Sequence, residues 1–147
     1  MPYEFKAVRR VEFSETDMAG LMHYSNYFRF METAEHGFFR SLGMSIFMAR
    51  QDPPLGWPRV HASCDFKLPL RFEDEVEIHL LVSEKKSKSL SYLFKFRKLN
   101  AAPPVEAARG SLTVVCVGCE ADGQMRARTI PAHVADLIQT APPELLE

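Results

Sequence analysis

The sequence predicts an α+β fold, an antiparallel sheet with one long helix packed on one face. Apolar residues alternate with polar ones in five separate stretches, the pattern of half-buried strands. A single stretch of helical periodicity lies between the first of these and the other four. Those four follow one another on short connections, which favours antiparallel pairing.

The first strand is expected to run over about a dozen residues: Tyr3, Phe5, Ala7, Val11 and Phe13 share one parity, with Glu4, Lys6, Arg10 and Glu12 on the other. In the helix, apolar residues recur from Tyr27 at Phe30, Met31, Ala34, Phe38 and Leu42, while Arg29, Glu32, Glu35 and Arg40 lie elsewhere on the cylinder. Ser25 is the expected N-cap and Gly43 the expected stop. About 18 residues rising ~1.5 Å each make a rod long enough to cross a five-stranded sheet. A connection punctuated by Pro and Gly, residues 44–58, leads to the second strand. Its apolar parity is Val60, Ala62, Cys64, Phe66, Leu68 and Leu70. Val76, Ile78, Leu80 and Val82 mark the third strand, and Leu90, Tyr92, Phe94 and Phe96 the fourth, with a charged hairpin turn at 84–88 between them. The fifth, over 105–117, is apolar on both parities toward its end, as suits a strand covered on both faces. Thr129, Ile130 and Pro131 read as the entry to a short helix, with Pro131 in its first turn and Val134, Leu137 and Ile138 apolar. The Ala-Pro-Pro stretch at 141–143 is expected to be frayed.

A chain of 147 residues, 46% hydrophobic and 25% charged, suits one globular domain over residues 1–147, not a disordered or membrane chain. A formal net charge of −1 gives no pull toward nucleic acid or anionic lipid, so neither is an expected partner. No run approaches the ~18 apolar residues of a membrane span, and the opening MPYEFKAVRR lacks the apolar region of a signal peptide. Three cysteines are too few, and odd in number, for a disulfide framework, so a reducing cytoplasm is the expected compartment.

The least ordinary segment joins the first strand to the helix: Phe13-Ser-Glu-Thr-Asp17-Met-Ala-Gly20-Leu-Met-His23-Tyr24-Ser-Asn26-Tyr27. Gly20 permits a backbone turn that other residues resist. Asp17 precedes a helix start, where backbone N–H groups lack partners. A carboxylate facing such N–H groups across a tight loop suits acyl transfer: it attacks or activates water while the donors take charge from a carbonyl oxygen. From spacing alone, a structural turn capped by Asp17 is the simpler account.

The stretch from Val11 to Gly20, with His23-Tyr24-Ser-Asn26-Tyr27-Phe-Arg29-Phe-Met-Glu32 and Leu42-Gly43, resembles the 4-hydroxybenzoyl-CoA thioesterase family of hot-dog-fold proteins. That family shows an aromatic-x-x-Thr-Asp-x-x-Gly loop followed by a helix that opens Asn-Tyr and carries Arg and Glu. The strand order matches over essentially the whole chain. The resemblance implies a five-stranded antiparallel sheet wrapped around the long helix, a homodimer or homotetramer with active sites at the subunit interface, and hydrolysis of an acyl-CoA. It makes Asp17 the catalytic carboxylate, the backbone N–H near Tyr24 the group that polarises the thioester carbonyl, and Gly20 the turn glycine. His23, Tyr24 and Asn26 join Gly20 as expected substrate-binding positions. No metal or bound cofactor is required, coenzyme A being part of the substrate. Some bacterial members carry His seven residues after the Asp; this chain has Tyr24 there, with His23 one position earlier.

Two other readings fit the same residues. Hot-dog hydratases pair an Asp and a His, as Asp17 and His23 superficially do, but those enzymes usually show Asp-x-Asn-Pro-x-His. A non-catalytic acyl-binding module is the third. Elsewhere, Cys116 and Cys119 form a lone Cys-x-x-Cys that closes a strand, where residues three apart point to opposite faces. Glu32 and His36 share a helix face without further ligands, while Lys85, Lys86 and Lys88 read as a solvated hairpin tip. Arg126 and Arg128 suit phosphate geometry but also a solvated tail.

Overall fold

The computed structural model describes residues 1–147. Strand β1 (Glu4–Arg10) is followed by helix α1 (Ser25–Ser41), β2 (Leu55–Gly56), β3 (Arg59–Phe66), β4 (Glu75–Lys85), β5 (Ser89–Lys98) and β6 (Val105–Val115). Two short strands, β7 (Val117–Cys119) and β8 (Met125–Ala127), and the one-turn helix α2 (Ala132–Ala135) complete the order. Five strands form one antiparallel sheet with α1 packed across it, as the alternation and the family resemblance both implied, and their order in the sheet is β1-β4-β5-β6-β3. No helix is long and apolar enough to cross a membrane.

The core is a continuous cluster of 28 buried residues between α1 and the sheet. Tyr27, Phe30, Met31, Ala34 and Phe38 come from the helix, and Ile78, Leu80, Tyr92, Phe94 and Phe96 from β4 and β5. Aromatic rings meet edge-on, as Tyr92 does with Phe38 and Phe94. Gly37 lets the helix approach β1 closely: a Cβ there would lie 2.5 Å from a ring carbon of Phe5.

Several elements depart from the sequence expectation, each for a physical reason. β1 stops at Arg10 because the chain turns into a 3-10 turn at Phe13–Glu15, closed by a capping box in which the Glu12 N–H donates to the Glu15 carboxylate at 2.8 Å. Val11 is still fully buried, but Phe13 is exposed. β3 ends at Phe66, four residues early, and pairs only with β6, so in one chain its apolar parity is open: Val60 is 62% exposed and Phe66 53%. The expected fifth strand is two. β6 ends at Val115, and beyond buried Cys116 the chain enters a second, three-stranded sheet, β2-β7-β8. That crossing explains why residues near 115 are apolar on both parities.

Gly43 follows α1 as the stop, but the N-cap position is Tyr24 and Ser25 already lies in the helix. The cap comes from His23, whose Nδ1 accepts the Ser25 N–H at 3.2 Å and lies 2.8 Å from the Ser25 hydroxyl. Pro131 likewise sits at the N-cap of α2, before its first turn. The stretch expected to be frayed is tied down: Ala141 is buried and its N–H donates to the Val82 carbonyl at 2.8 Å.

Glu35, assigned by its charge to the polar side of the helix, is 0% exposed. Arg59 at the start of β3 reaches it with Nη2 at 2.5 Å, and the same guanidinium donates to the Trp57 carbonyl and lies 3.7 Å from Glu32. Burial pushes the Glu35 carboxyl upward, with Arg59 and the nearby Tyr92 hydroxyl opposing it. Burial, and then the negative charge of Glu35, raises Tyr92 well above the usual phenol range.

Candidate active site

The loop from Thr16 to Met22 closes on itself. Thr16 and Met22 bridge, the Asp17 N–H donates to the Leu21 carbonyl at 2.9 Å, and the Gly20 N–H donates to the Asp17 carbonyl at 2.9 Å. The turn is possible because Gly20 takes φ of +80°, the left-handed region that a Cβ disfavours. Neighbouring segments hold the loop from outside. The Met22 N–H donates to Leu70, and both the His23 N–H and the Asn26 side-chain amide donate to the Glu15 carbonyl at 2.8 Å.

This geometry orients Asp17. One carboxylate oxygen, Oδ1, accepts the N–H groups of Ala19 at 2.9 Å and Leu21 at 3.4 Å. The second oxygen carries no hydrogen bond within the chain, and the residue is exposed at the cavity mouth. Tyr24 stands at the start of α1, and its backbone N–H donates to no acceptor in the chain. Asp17 and Tyr24 line one cavity of about 350 Å³. Its other walls are largely apolar, from Tyr27 on the next turn of α1, from Phe66 at the end of β3, and from Leu68 and Leu70 just beyond it.

The structure thus joins two of the expected site residues and separates two others. Gly20 shapes the loop without lining the cavity. His23 and Asn26 do not line that cavity; they line a separate polar hollow of about 650 Å³ with Arg9, Glu15 and Arg29. Because Nδ1 of His23 accepts the Ser25 N–H, the neutral ring carries its proton on Nε2, a tautomer assigned from the hydrogen-bond network. His23 also stacks on Tyr24, centroids 4.5 Å apart. The Asp17–His23 pairing on which a hydratase would depend is absent from the Asp17 cavity.

Sequence reasoning missed Tyr27, Phe66, Leu68 and Leu70 as cavity walls. Tyr27 was accessible to it, since residues three apart on a helix share a face and Tyr24 had been singled out. The segment 66–70 was not: it reaches the loop through long-range pairings, the Leu21–Arg71 bridge and the bond from Met22 to Leu70.

A carboxylate on a glycine-shaped loop, sharing a cavity with the start of a helix packed on a five-stranded antiparallel sheet, points to a class. Residues 11–143 match the thioesterase-like superfamily, and the chain belongs to it. Among its relatives, a putative esterase of Aquifex aeolicus strain VF5 is 42% identical over 84 residues, 57% of this chain and 63% of the esterase. A 1,4-dihydroxy-2-naphthoyl-CoA hydrolase of Prochlorococcus marinus strain MIT 9211 is 28% identical over 97 residues, 61% of this chain and 64% of the hydrolase. The chain thus spans under two thirds of the length of these curated relatives. A solved gentisyl-coenzyme A thioesterase is 31% identical, with TM-score 0.77 over 91% of this chain and 99% of that one. The 4-hydroxybenzoyl-CoA thioesterase of Pseudomonas sp. strain CBS-3, 21% identical, shares the fold at TM-score 0.82 over 92% and 99% of the two chains.

Proposed function

We propose that the protein hydrolyses the thioester bond of an acyl-coenzyme A, with Asp17 as nucleophile or general base and the Tyr24 N–H as the donor to the carbonyl oxygen. The observation that carries this reading is the pairing of the free Asp17 oxygen and the free Tyr24 N–H on one largely apolar cavity. The thioester carbonyl accepts the Tyr24 N–H, which strengthens as the oxygen gains charge. In the general-base route, Asp17 takes a proton from water as the water oxygen bonds to the carbonyl carbon. The tetrahedral intermediate collapses, the C–S bond breaks, and the coenzyme A thiolate leaves and takes up the proton. In the nucleophilic route, Asp17 itself bonds to the carbon and expels the thiolate, and water then cleaves the resulting anhydride.

The acyl group is read from the cavity and the relatives together. Aromatic and aliphatic walls suit a small ring, and a relative acts on 1,4-dihydroxy-2-naphthoyl-CoA, a hydroxylated aromatic thioester. Asp17 and Tyr24 are both exposed in one chain, beside the end of the open edge strand β3. A second copy pairing through that edge would cover them and add groups for coenzyme A, which supports a homodimer or homotetramer with the site at the subunit boundary.

The test is release of free thiol from a panel of acyl-CoAs by the parent and by Asp17→Asn. The amide keeps the size and the Oδ1 hydrogen bonds but is a far poorer base and nucleophile. The expected result is a fall in kcat of ~10²–10⁴ with KM little changed. An Asp17→Asn protein within a few-fold of the parent would overturn the assignment. The reaction as written uses no metal, so EDTA should leave the rate unchanged; loss of activity restored by a divalent ion would contradict it.

A further inference from the structure

Tyr27 is the one neutral polar side chain on the Asp17 cavity that is itself buried, at 3% exposure. Its ring is fixed edge-on between Phe66 at 4.8 Å and Phe96 at 5.4 Å, and its hydroxyl makes no hydrogen bond within the chain. That hydroxyl is not among the chain's sealed, partnerless polar atoms, so water reaches it, and a ligand that displaces this water loses hydrogen-bonding free energy unless it accepts from the phenol in its place. Of the other polar side chains there, Asp17 faces the reacting carbon in the reading above, Lys67 is paired with Glu106, and Tyr24 is exposed and stacked on His23. Burial, with smaller contributions from Cys64 and Asp74, pushes the Tyr27 phenol up to about 12, so it remains a donor at any pH at which the enzyme would work. Tyr24 and Tyr27 lie three residues apart at the start of α1 and line the same cavity, so a carbonyl held by the Tyr24 N–H would share that cavity with the Tyr27 side chain.

We infer that Tyr27 is a specificity-determining residue, its O–H donating to a hydroxyl on the aromatic ring of the acyl group. The inference rests on the thioesterase reading and goes beyond it by naming the side chain that tells a hydroxylated acyl group from the bare hydrocarbon ring. A bare ring would displace water from this O–H and leave it unpaired, and a loss of that kind corresponds to discrimination on the order of tenfold.

The experiment compares benzoyl-CoA, 2-hydroxybenzoyl-CoA and 4-hydroxybenzoyl-CoA as substrates of the parent and of Tyr27→Phe, which keeps the ring packed between Phe66 and Phe96. In the parent, kcat/KM for one hydroxylated ester should exceed that for benzoyl-CoA by roughly tenfold. In Tyr27→Phe that ratio should collapse toward one, with the loss falling on the hydroxylated ester. A ratio that survives the substitution, a parent that does not discriminate, or an equal loss on all three esters would overturn the assignment. A second measurement does not depend on turnover or on Tyr27→Phe folding: in Asp17→Asn bound to 2-hydroxybenzoyl-CoA or 4-hydroxybenzoyl-CoA, the Tyr27 Oη should lie within about 3.2 Å of the ring hydroxyl in one of the two complexes. A separation beyond hydrogen-bond reach in both would refute it. If no acyl-CoA is hydrolysed by the parent, the thioesterase reading fails instead, and these bound structures still decide the role of Tyr27.

Discussion

Glu35 carries a carboxylate into a place where hydration is lost, and one guanidinium answers it. Removing Arg59 leaves that carboxyl buried without its ion-pair partner, a defect that typically costs ~3–5 kcal/mol. Burial already pushes Glu35 upward, so in Arg59→Ala it will take up a proton instead of remaining charged. A carboxyl whose folded-state value is raised stabilises the fold below its unfolded value and loses that contribution as pH rises through the folded one. Urea unfolding should therefore show a smaller deficit for Arg59→Ala at pH 5 than at pH 8. A deficit independent of pH would mean that Glu35 is neutral in the parent as well. Pattern reading misassigned this residue because charge in a sequence is evidence of exposure only where no partner exists. The partner is 24 positions away on another element. The turn at Asp17 and Gly20 was legible for the opposite reason: the loop that orients the carboxylate is local, built from residues 16–22, and so written in adjacent letters.

At the scale of elements, alternation found each strand that buries one face and is long enough to repeat. β4 and β5 came through nearly intact, with their hairpin, because every second residue faces α1. β2, β7 and β8 were invisible, since strands of two or three residues have no period to read. Alternation and the family resemblance both pointed to the five-stranded arrangement; neither spoke to Gly37, whose reason is the ring of Phe5. Two effects oppose each other in Gly37→Ala. Alanine gains about 1 kcal/mol in a helix interior, whereas forcing a methyl into a packed contact costs typically 1–3. The contact at 2.5 Å is too short for the ring to stay where it is, so packing should win and the variant should lose about 1 kcal/mol. In a Phe5→Ala background the sign should reverse. Destabilisation of the same size in both backgrounds would assign the cost to the helix itself.

For the molecule as a whole, the uncovered flank matters most. β3 presents eight residues of strand with one neighbour, and exposed Val60 and Phe66, at the side of the sheet where the Asp17 cavity opens. Light scattering at micromolar concentration should give a dimer or tetramer of the 16.8 kDa chain. A catalytically competent monomer would separate the site from any shared boundary. A charge set into that edge, as in Val60→Lys, should weaken assembly and activity together.

The passage of the chain through Cys116 has a consequence of a different kind. On one side of that residue lie long strands whose amides are locked in the main ladder; on the other lie strands of three residues or fewer, with β8 wholly exposed. Openings of such a small patch require little buried surface to be given up, while openings of β4 or β5 require the whole core to come apart. Native-state fluctuations are thereby partitioned. The small sheet can breathe on a fast timescale while the loop that carries Asp17, anchored through Leu70 and Arg71 to the large sheet, keeps its shape. The polypeptide thus keeps a compliant rim and a stiff Asp17 loop in one folded unit, with a buried thiol marking the boundary between them.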